Sequence, residues 1–413
     1  MDRVGRDRGH IEIGAIRKHR PDYWLLILAS LLLAIGVIII YAIGPALALT
    51  GSVGQNYYVN KQLIAIVLSF VGFFAAANIP LDIWKRAYKP LLIIAALATL
   101  VALIMPVNVQ YPAHRWIRLG AFSFQSVELL KFAILLWLAG FLAKRINKQE
   151  ITDLKLTLLP LIGVLVVIGI MVAGVQSDLG STGVVVVMMA TMAYIAGMPF
   201  RRVLYIGGII AIGLVLAIAS SPYRRARLQT YLHPASNCTT TGYQACQSLI
   251  SVGSGGLLGQ GLGRGAQAYG YVPEAQNDSI FAIYAEKFGF IGSVILLAIY
   301  AGFFARMKRI AERVPDNFSK LIVIGILTWL SVQTLINIGA MIGLLPLKGI
   351  TLPFISYGGT SVVFVMAAVG LVFQISRYTL HQPVTESERK LHENRLDRRR
   401  VRGAYHPAPS SRP

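Results

Sequence analysis

The chain has 413 residues, of which 55% are hydrophobic and only 14% charged. A soluble domain carries roughly 25% charged residues, so this composition excludes a water-facing globular surface. Lys and Arg number 39 against 18 Asp and Glu, a formal charge of +21; because long apolar runs recur throughout, the excess points to loops facing anionic lipid and not to nucleic acid.

From the N-terminus, residues 1–22 are polar and basic, with Arg3, Arg6, Arg8, Arg17, Lys18 and Arg20, and show no cleavable signal pattern. Apolar stretches long enough to cross about 30 Å of hydrocarbon follow near 24–47, 60–79, 90–106, 126–143, 156–174, 182–198, 203–220, 281–305, 321–345 and 360–377. An even number of spans puts both termini on one side. The groups Lys85/Arg86/Lys89, Lys144/Arg145/Lys148/Lys155, Arg201/Arg202 and Arg306/Lys308/Arg309/Arg313/Lys320 fall on that side too, which the positive-inside rule makes cytoplasmic. The predicted fold is an all-α polytopic membrane protein with about ten transmembrane helices. A basic N-terminal segment (1–22) precedes a transmembrane domain (23–378) with a large extracytoplasmic loop at 221–280 between spans seven and eight. A basic tail (379–413), with Arg398-Arg399-Arg400, reads as disordered or adsorbed to lipid.

The outer loops are short apart from about 107–125 and the long stretch at 221–280. Within the second, six glycines between Gly253 and Gly263 alternate with apolar residues. That pattern suits close backbone packing or close approach to a ligand better than a flexible tether, and it lacks the strand and the Lys-Ser/Thr of a phosphate loop. The two cysteines exclude a disulfide scaffold or a multi-Cys zinc site; Cys238 and Cys246, eight residues apart in this outer loop, allow a small-loop disulfide.

Five acidic residues fall in spans or on the outer face: Glu128, Asp178, Glu274, Asp278 and Glu286. Charges against a membrane are costly and default to functional hypotheses with a named partner. Glu128 has one in Lys131, three residues along the same helical face, as a structural ion pair. Asp278 follows Pro273-Glu274-Ala275-Gln276-Asn277 and heads an apolar span; it reads either as a reactive carboxylate or as a helix N-cap. The outer cations cluster, with Arg115 and Arg118 flanking Trp116, and Arg224, Arg225 and Arg227 opening the large loop. Guanidinium forks suit pyrophosphate oxygens and a neighbouring Trp can stack on a sugar; anchoring to lipid headgroups is the alternative. No nucleophilic triad, nucleotide fold or redox-cofactor motif is present.

These motifs, taken in order, resemble the SEDS family of polytopic peptidoglycan glycosyltransferases represented by FtsW and RodA. The resemblance runs from about residue 24 to 377. It rests on Arg115-Trp116-Ile117 with Gly120, on Gln125 with Glu128 and Lys131, and on Gln176-Ser177-Asp178-Leu179-Gly180. It continues through Gly242-Tyr243-Gln244, Gln247-Ser248-Leu249-Ile250, Gly253-Ser254-Gly255-Gly256, Pro273-Glu274 with Asp278, and the string from Lys348 through Ser356-Tyr357-Gly358-Gly359.

The resemblance implies a ten-span fold that polymerises lipid II into β-1,4-linked glycan on the outer face of a bacterial cytoplasmic membrane, releasing undecaprenyl diphosphate. It implies Asp278 as catalytic residue, Arg115, Trp116, Gln176, Asp178, Arg224, Gln247, Ser248, Glu274, Lys348 and Ser356 as substrate-binding residues, and a divalent cation (Mg or Mn) as candidate cofactor with Asp278 as candidate ligand. Implied partners are a class B penicillin-binding protein transpeptidase and other membrane proteins of the division or elongation machinery. Lys348-Gly349 with Thr351-Leu352-Pro353 looks more like the divisional FtsW branch than the RodA branch. The chain departs from the family pattern at Ser126 and Ser177, where proline is usual, at Lys287, where a second glutamate is common, and at Ser279, where a bulky apolar residue is common. The rival classes are a lipid II flippase, which needs no outer-face base, and a non-catalytic division scaffold.

Overall fold

A computed structural model describes residues 19–51, 54–105, 115–119, 122–219, 222–232, 238–240, 242–347 and 349–379. A helix stands at each of the ten predicted spans: α1 (Tyr23–Gly51), α2 (Tyr57–Asn78), α3 (Leu81–Ile104), α4 (Ser126–Asn147), α5 (Leu154–Val175), α6 (Leu179–Ile195), α7 (Phe200–Ala219), α10 (Ile280–Arg313), α11 (Asn317–Met341) and α12 (Gly359–Ile375). Among the described residues eight of these, with α12 continued through the short turn to Tyr378, are long and apolar enough to cross a membrane, while α6 is apolar but has only 17 residues. The region between α7 and α10, expected as loop, carries α8 (Pro222–Leu232) and α9 (Tyr243–Ser254). A two-stranded antiparallel hairpin, β1 (Trp116–Leu119) and β2 (Phe122–Gln125), was not expected at all.

Local chemistry sets several boundaries. Asp178 caps α6 by accepting from the Ser181 backbone N–H (3.0 Å) and hydroxyl (2.9 Å), and Asp316 caps α11 through Ser319 N–H (3.1 Å). Asp153 does the same for α5 through Leu156 N–H (2.8 Å). The helix N-cap beside Asp278 is Ser279, so the capping alternative for Asp278 is not what the fold uses.

Hydrophobicity alone does not bring helices together in lipid; close packing and polar contacts do. Helix α12 lies along α2, and α11 packs against α4, α6 and α10. At Gly370 a Cβ would lie 2.3 Å from the Phe73 carbonyl oxygen, so only glycine permits the α2–α12 approach. The central spans are enclosed by protein, with 83% of the apolar window of α4 buried against 17% for α3 and α5, which face outward.

Helix α10 is bent at Gly289 (φ 65°, ψ −164°), and the glycine run fills the break. Gln260 and Gly261 donate to the carbonyls of Glu286 (2.8 Å) and Lys287 (3.0 Å), while Phe290 and Ile291 donate to those of Gly256 (2.8 Å) and Leu257 (3.1 Å). Four bonds from the loop thereby satisfy groups that the helix's own ladder leaves at the bend. The Lys287 Nζ donates to Leu262 O (3.0 Å) and Arg264 O (3.2 Å), and Glu286 accepts from Gln267 N–H (3.3 Å), so this buried pair fastens the same loop. The reading of the glycines as close packing is borne out.

Candidate active site

The pole at which α1 ends and α10 begins gathers the hairpin, α9, the turn 270–279 and the segment 349–358. Asp278 ends that turn. The Asn337 Nδ2 on α11 donates both to the Asp278 carbonyl (2.7 Å) and to the Ile350 carbonyl (2.7 Å), tying the aspartate's backbone to the segment that follows α11. Ser356 completes the tie: its hydroxyl donates to Asn277 O (2.6 Å) and accepts from Leu352 N–H (2.7 Å), and Tyr357 N–H donates to Gln276 O (2.8 Å). The Asp278 carboxylate is reached by Gln244 Nε2 of α9 at 3.4 Å, and the same amide lies 3.1 Å from the Ser279 hydroxyl. Ser279 in turn donates to Pro273 O (2.9 Å). Asp278, Asn337, Met341 and Gly349 line a small cavity here.

Other expected residues take supporting places. Glu274 has φ 51° and accepts from Asn277 Nδ2 (2.5 Å), which folds the turn that delivers Asp278. On α9, Ser248 is buried and donates to Gln244 O (2.8 Å), and Gln247 is half-buried. Cys238 and Cys246 form the disulfide, with Cα atoms 5.5 Å apart, anchoring α9 two residues beyond Gln244. Lys348 and the side chain of Arg224 lie outside the described residues. The Tyr357 ring meets Tyr58 edge-on at 5.3 Å; burial, then the neighbouring phenols Tyr57 and Tyr58, push its hydroxyl up to about 12.

Arg115, Trp116, Gln176 and Asp178 form a second cluster beside the hairpin. The Arg115 guanidinium donates to Gln176 O (3.0 Å) and Ser177 O (2.7 Å) and lies 3.8 Å from the Asp178 carboxylate. Buried Gln176 donates to the Ser126 hydroxyl (3.4 Å), and Ser126 N–H donates to Arg115 O (3.3 Å). Trp116 opens β1 opposite Gln125. Ser177 holds φ 53°, which proline's ring forbids, and proline at 126 would lack the N–H used here. The two serines that depart from the family pattern thus meet in one clasp. Arg118, Arg225 and Arg264 are exposed at this pole.

The Glu128–Lys131 pair forms at 2.7 Å in the core, and it does not stand alone. Lys131 also donates to Gln333 Oε1 (3.0 Å), which accepts from Trp329 Nε1 (2.8 Å); Gln333 Nε2 donates to Thr351 O (3.0 Å). This polar chain runs from α4 through α11 to the segment that supports Asp278. Gln333 and Asn337 were not singled out in the sequence, although two amides at i, i+4 inside an apolar span are a signal of this kind. Among the described residues no group of three or more His, Cys, Asp or Glu side chains is placed to hold a metal; a divalent cation held by Asp278 would need substrate phosphate oxygens to complete its shell.

A helical bundle that spans a membrane, with a carboxylate held at one pole by a buried polar scaffold, defines a polytopic integral membrane protein with a surface-facing site. The chain belongs to the FtsW/RodA/SpoVE family of cell cycle proteins, matching it over residues 23–381. It is 35% identical over 364 residues to stage V sporulation protein E of Bacillus subtilis, covering 88% of this chain and 99% of that one. It is also 35% identical over 366 residues to a probable peptidoglycan glycosyltransferase FtsW of Saccharophagus degradans, covering 86% and 92%. Its fold is similar to a chain of a peptidoglycan synthase complex that coordinates polymerization and crosslinking (TM-score 0.67, 24% identity, 86% and 98% covered). A variant of the rod shape determining protein RodA of Thermus thermophilus is similar too (TM-score 0.63, 24% identity, 88% and 99% covered).

Proposed function

We propose that this chain is a peptidoglycan glycosyltransferase that polymerises lipid II, with Asp278 as its catalytic base. The observation that carries the reading is the placement of Asp278: its backbone is clamped by Asn337, Gln244 of α9 reaches its carboxylate, and the residue lines a small cavity at this pole. A carboxylate there removes the proton from the acceptor's sugar hydroxyl as that oxygen attacks the donor's anomeric carbon, and undecaprenyl diphosphate departs. Gln244, set by the α9 disulfide, orients the carboxylate. The exposed arginines 118, 225 and 264 supply counter-charge for the pyrophosphate. Polyprenyl anchors confine both substrates to the bilayer plane, which supplies proximity without tight binding.

The relatives named as FtsW favour septal synthesis in cell division, alongside a class B penicillin-binding protein, and the basic loops favour an inner membrane with this pole outside. The test is glycan polymerisation from labelled lipid II by purified protein, with and without its cognate transpeptidase. Asp278→Asn is expected to lower polymerisation by roughly 10²- to 10⁴-fold while leaving the melting temperature unchanged. Wild-type rates in that variant would remove Asp278 from the mechanism. No polymer from folded wild-type protein under either condition would shift the reading to a flippase or a scaffold.

A further inference from the structure

The opposite pole, where α1 begins and α12 ends, holds a cavity of about 240 Å³, partly open to solvent, that the glycan chemistry does not use. Four arginines, Arg20, Arg306, Arg309 and Arg313, line it together with a single carboxylate, Asp22. Its walls are built: Asp22 N–H donates to the Ser376 hydroxyl (3.0 Å), and His19 N–H donates to Arg377 O (3.0 Å), closing the segment before α1 onto the end of α12. Asp22 is spent on Arg306, which it accepts from at Nε (3.0 Å) and Nη2 (2.6 Å). Among the described residues Arg20, Arg309 and Arg313 then have no acidic partner, because nearby Glu312 pairs with Lys308 and Asp316 with Lys85.

Arg309 and Arg313 stand at i, i+4 on one face of α10, where like charges repel, and the paired Arg306 lies one turn before them. An anion seated between them and Arg20 relieves that repulsion, and guanidinium forks match the oxygens of phosphate. The depth of the cavity in the bilayer names the source. Directly after Asp22 come Tyr23 and Trp24, exposed at 55% and 59%, the residue types that mark the headgroup level, and Ile27, exposed at 52%, lies one turn deeper along α1. We propose that this cavity binds the phosphate-bearing headgroup of an anionic phospholipid, held by Arg20, Arg309 and Arg313, with its acyl chains along the exposed face at the start of α1.

The experiment is native mass spectrometry of the full chain released from nanodiscs of phosphatidylglycerol and phosphatidylcholine. Wild type is expected to retain phosphatidylglycerol in preference. The double variant Arg309→Gln/Arg313→Gln, in exposed side chains that leave the fold intact, is expected to bind it roughly 30-fold less tightly, at about 1 kcal/mol for each charge near the headgroups. Lys148→Gln, which removes an exposed charge at the same pole outside the cavity, is expected to retain it. Equal retention by the double variant overturns the proposal, and equal loss in Lys148→Gln reduces it to general surface charge and overturns it too. If inorganic phosphate in solution displaces the lipid from wild type, the site takes soluble phosphate and the lipid assignment is overturned.

Discussion

Asp178 and Asp278 lie at the same pole, each at the foot of a helix, and the chain holds them in opposite ways. Asp178 is gripped by its side chain: the carboxylate caps α6 through Ser181 and faces Arg115. Asp278 is gripped by its main chain: Asn337 takes its carbonyl, Ser356 and the Tyr357 N–H take the carbonyls of Asn277 and Gln276, and the Gln244 amide, at 3.4 Å, is drawn to its carboxylate. A carboxylate fully used in capping is a poor base, since the same lone pairs are already accepting protons from fixed donors. The contrast sets a side-chain clasp around Asp178 against a backbone clamp around Asp278.

The contrast can be broken in four places. The strongest blow falls beneath the corner: Lys131→Met strands Glu128 in the core and cuts the polar chain to Thr351, so the protein should lose about 3–5 kcal/mol of stability. A thermal unfolding curve matching wild type would deny the pair its structural role. Next, Asn337→Ala frees the carbonyls of Asp278 and Ile350 and should lower kcat by about 10- to 100-fold through misplacement of the carboxylate, with KM little changed. An effect on KM alone would make Asn337 a binding residue. In the clasp, Asp178→Ala should cost about 1–2 kcal/mol through the lost cap while folded protein keeps most of its polymerisation rate. A rate loss as deep as that of Asp278→Asn would erase the distinction between the two carboxylates.

The smallest effect concerns Tyr357, in the segment that backs Asp278. Its folded pKa of about 12 lies above the ordinary phenol value of 10.0, so the neutral form is favoured by folding. The stability that this contributes is fully present below pH 10 and is lost as pH rises through the folded value. Comparing wild type with Tyr357→Phe by chemical denaturation from pH 9 to about 12, wild type should lose more stability above about pH 10 than the variant does. Parallel profiles would place the phenol in water.

Much of this was written in the sequence. Ten apolar runs forecast ten helices because crossing hydrocarbon fixes length and composition together, and Glu128 with Lys131 was legible because i, i+3 spacing puts them on one face. The hairpin was not. Its strands, Trp-Ile-Arg-Leu and Phe-Ser-Phe-Gln, have four residues each, too short for alternation to stand out in a chain so apolar. The partnership of Arg115 with residues 176–178 was also hidden, since contacts across some sixty positions have no period to betray them. Asn337 and Gln333 passed as ordinary polar interruptions of α11, because what makes them matter is the carbonyls they reach on another segment. The alternative reading of Asp278 as a helix N-cap fails because the cap position falls on its neighbour Ser279.

The bend in α10 has a mechanical meaning. A straight helix of 34 residues would be about 50 Å long, well beyond about 30 Å of hydrocarbon. The limb after Gly289 is long enough to cross alone, and its residues Phe290, Ile291, Val294 and Ile295 are exposed along the bilayer-facing surface. The limb before the bend, Ile280 to Lys287, is buried throughout and strapped by the glycine loop. A bilayer that thins, thickens or curves pushes on the outer limb. The inner limb, whose first turn follows Asp278 directly, is shielded by protein, so Asp278 keeps its position while the membrane around it changes shape.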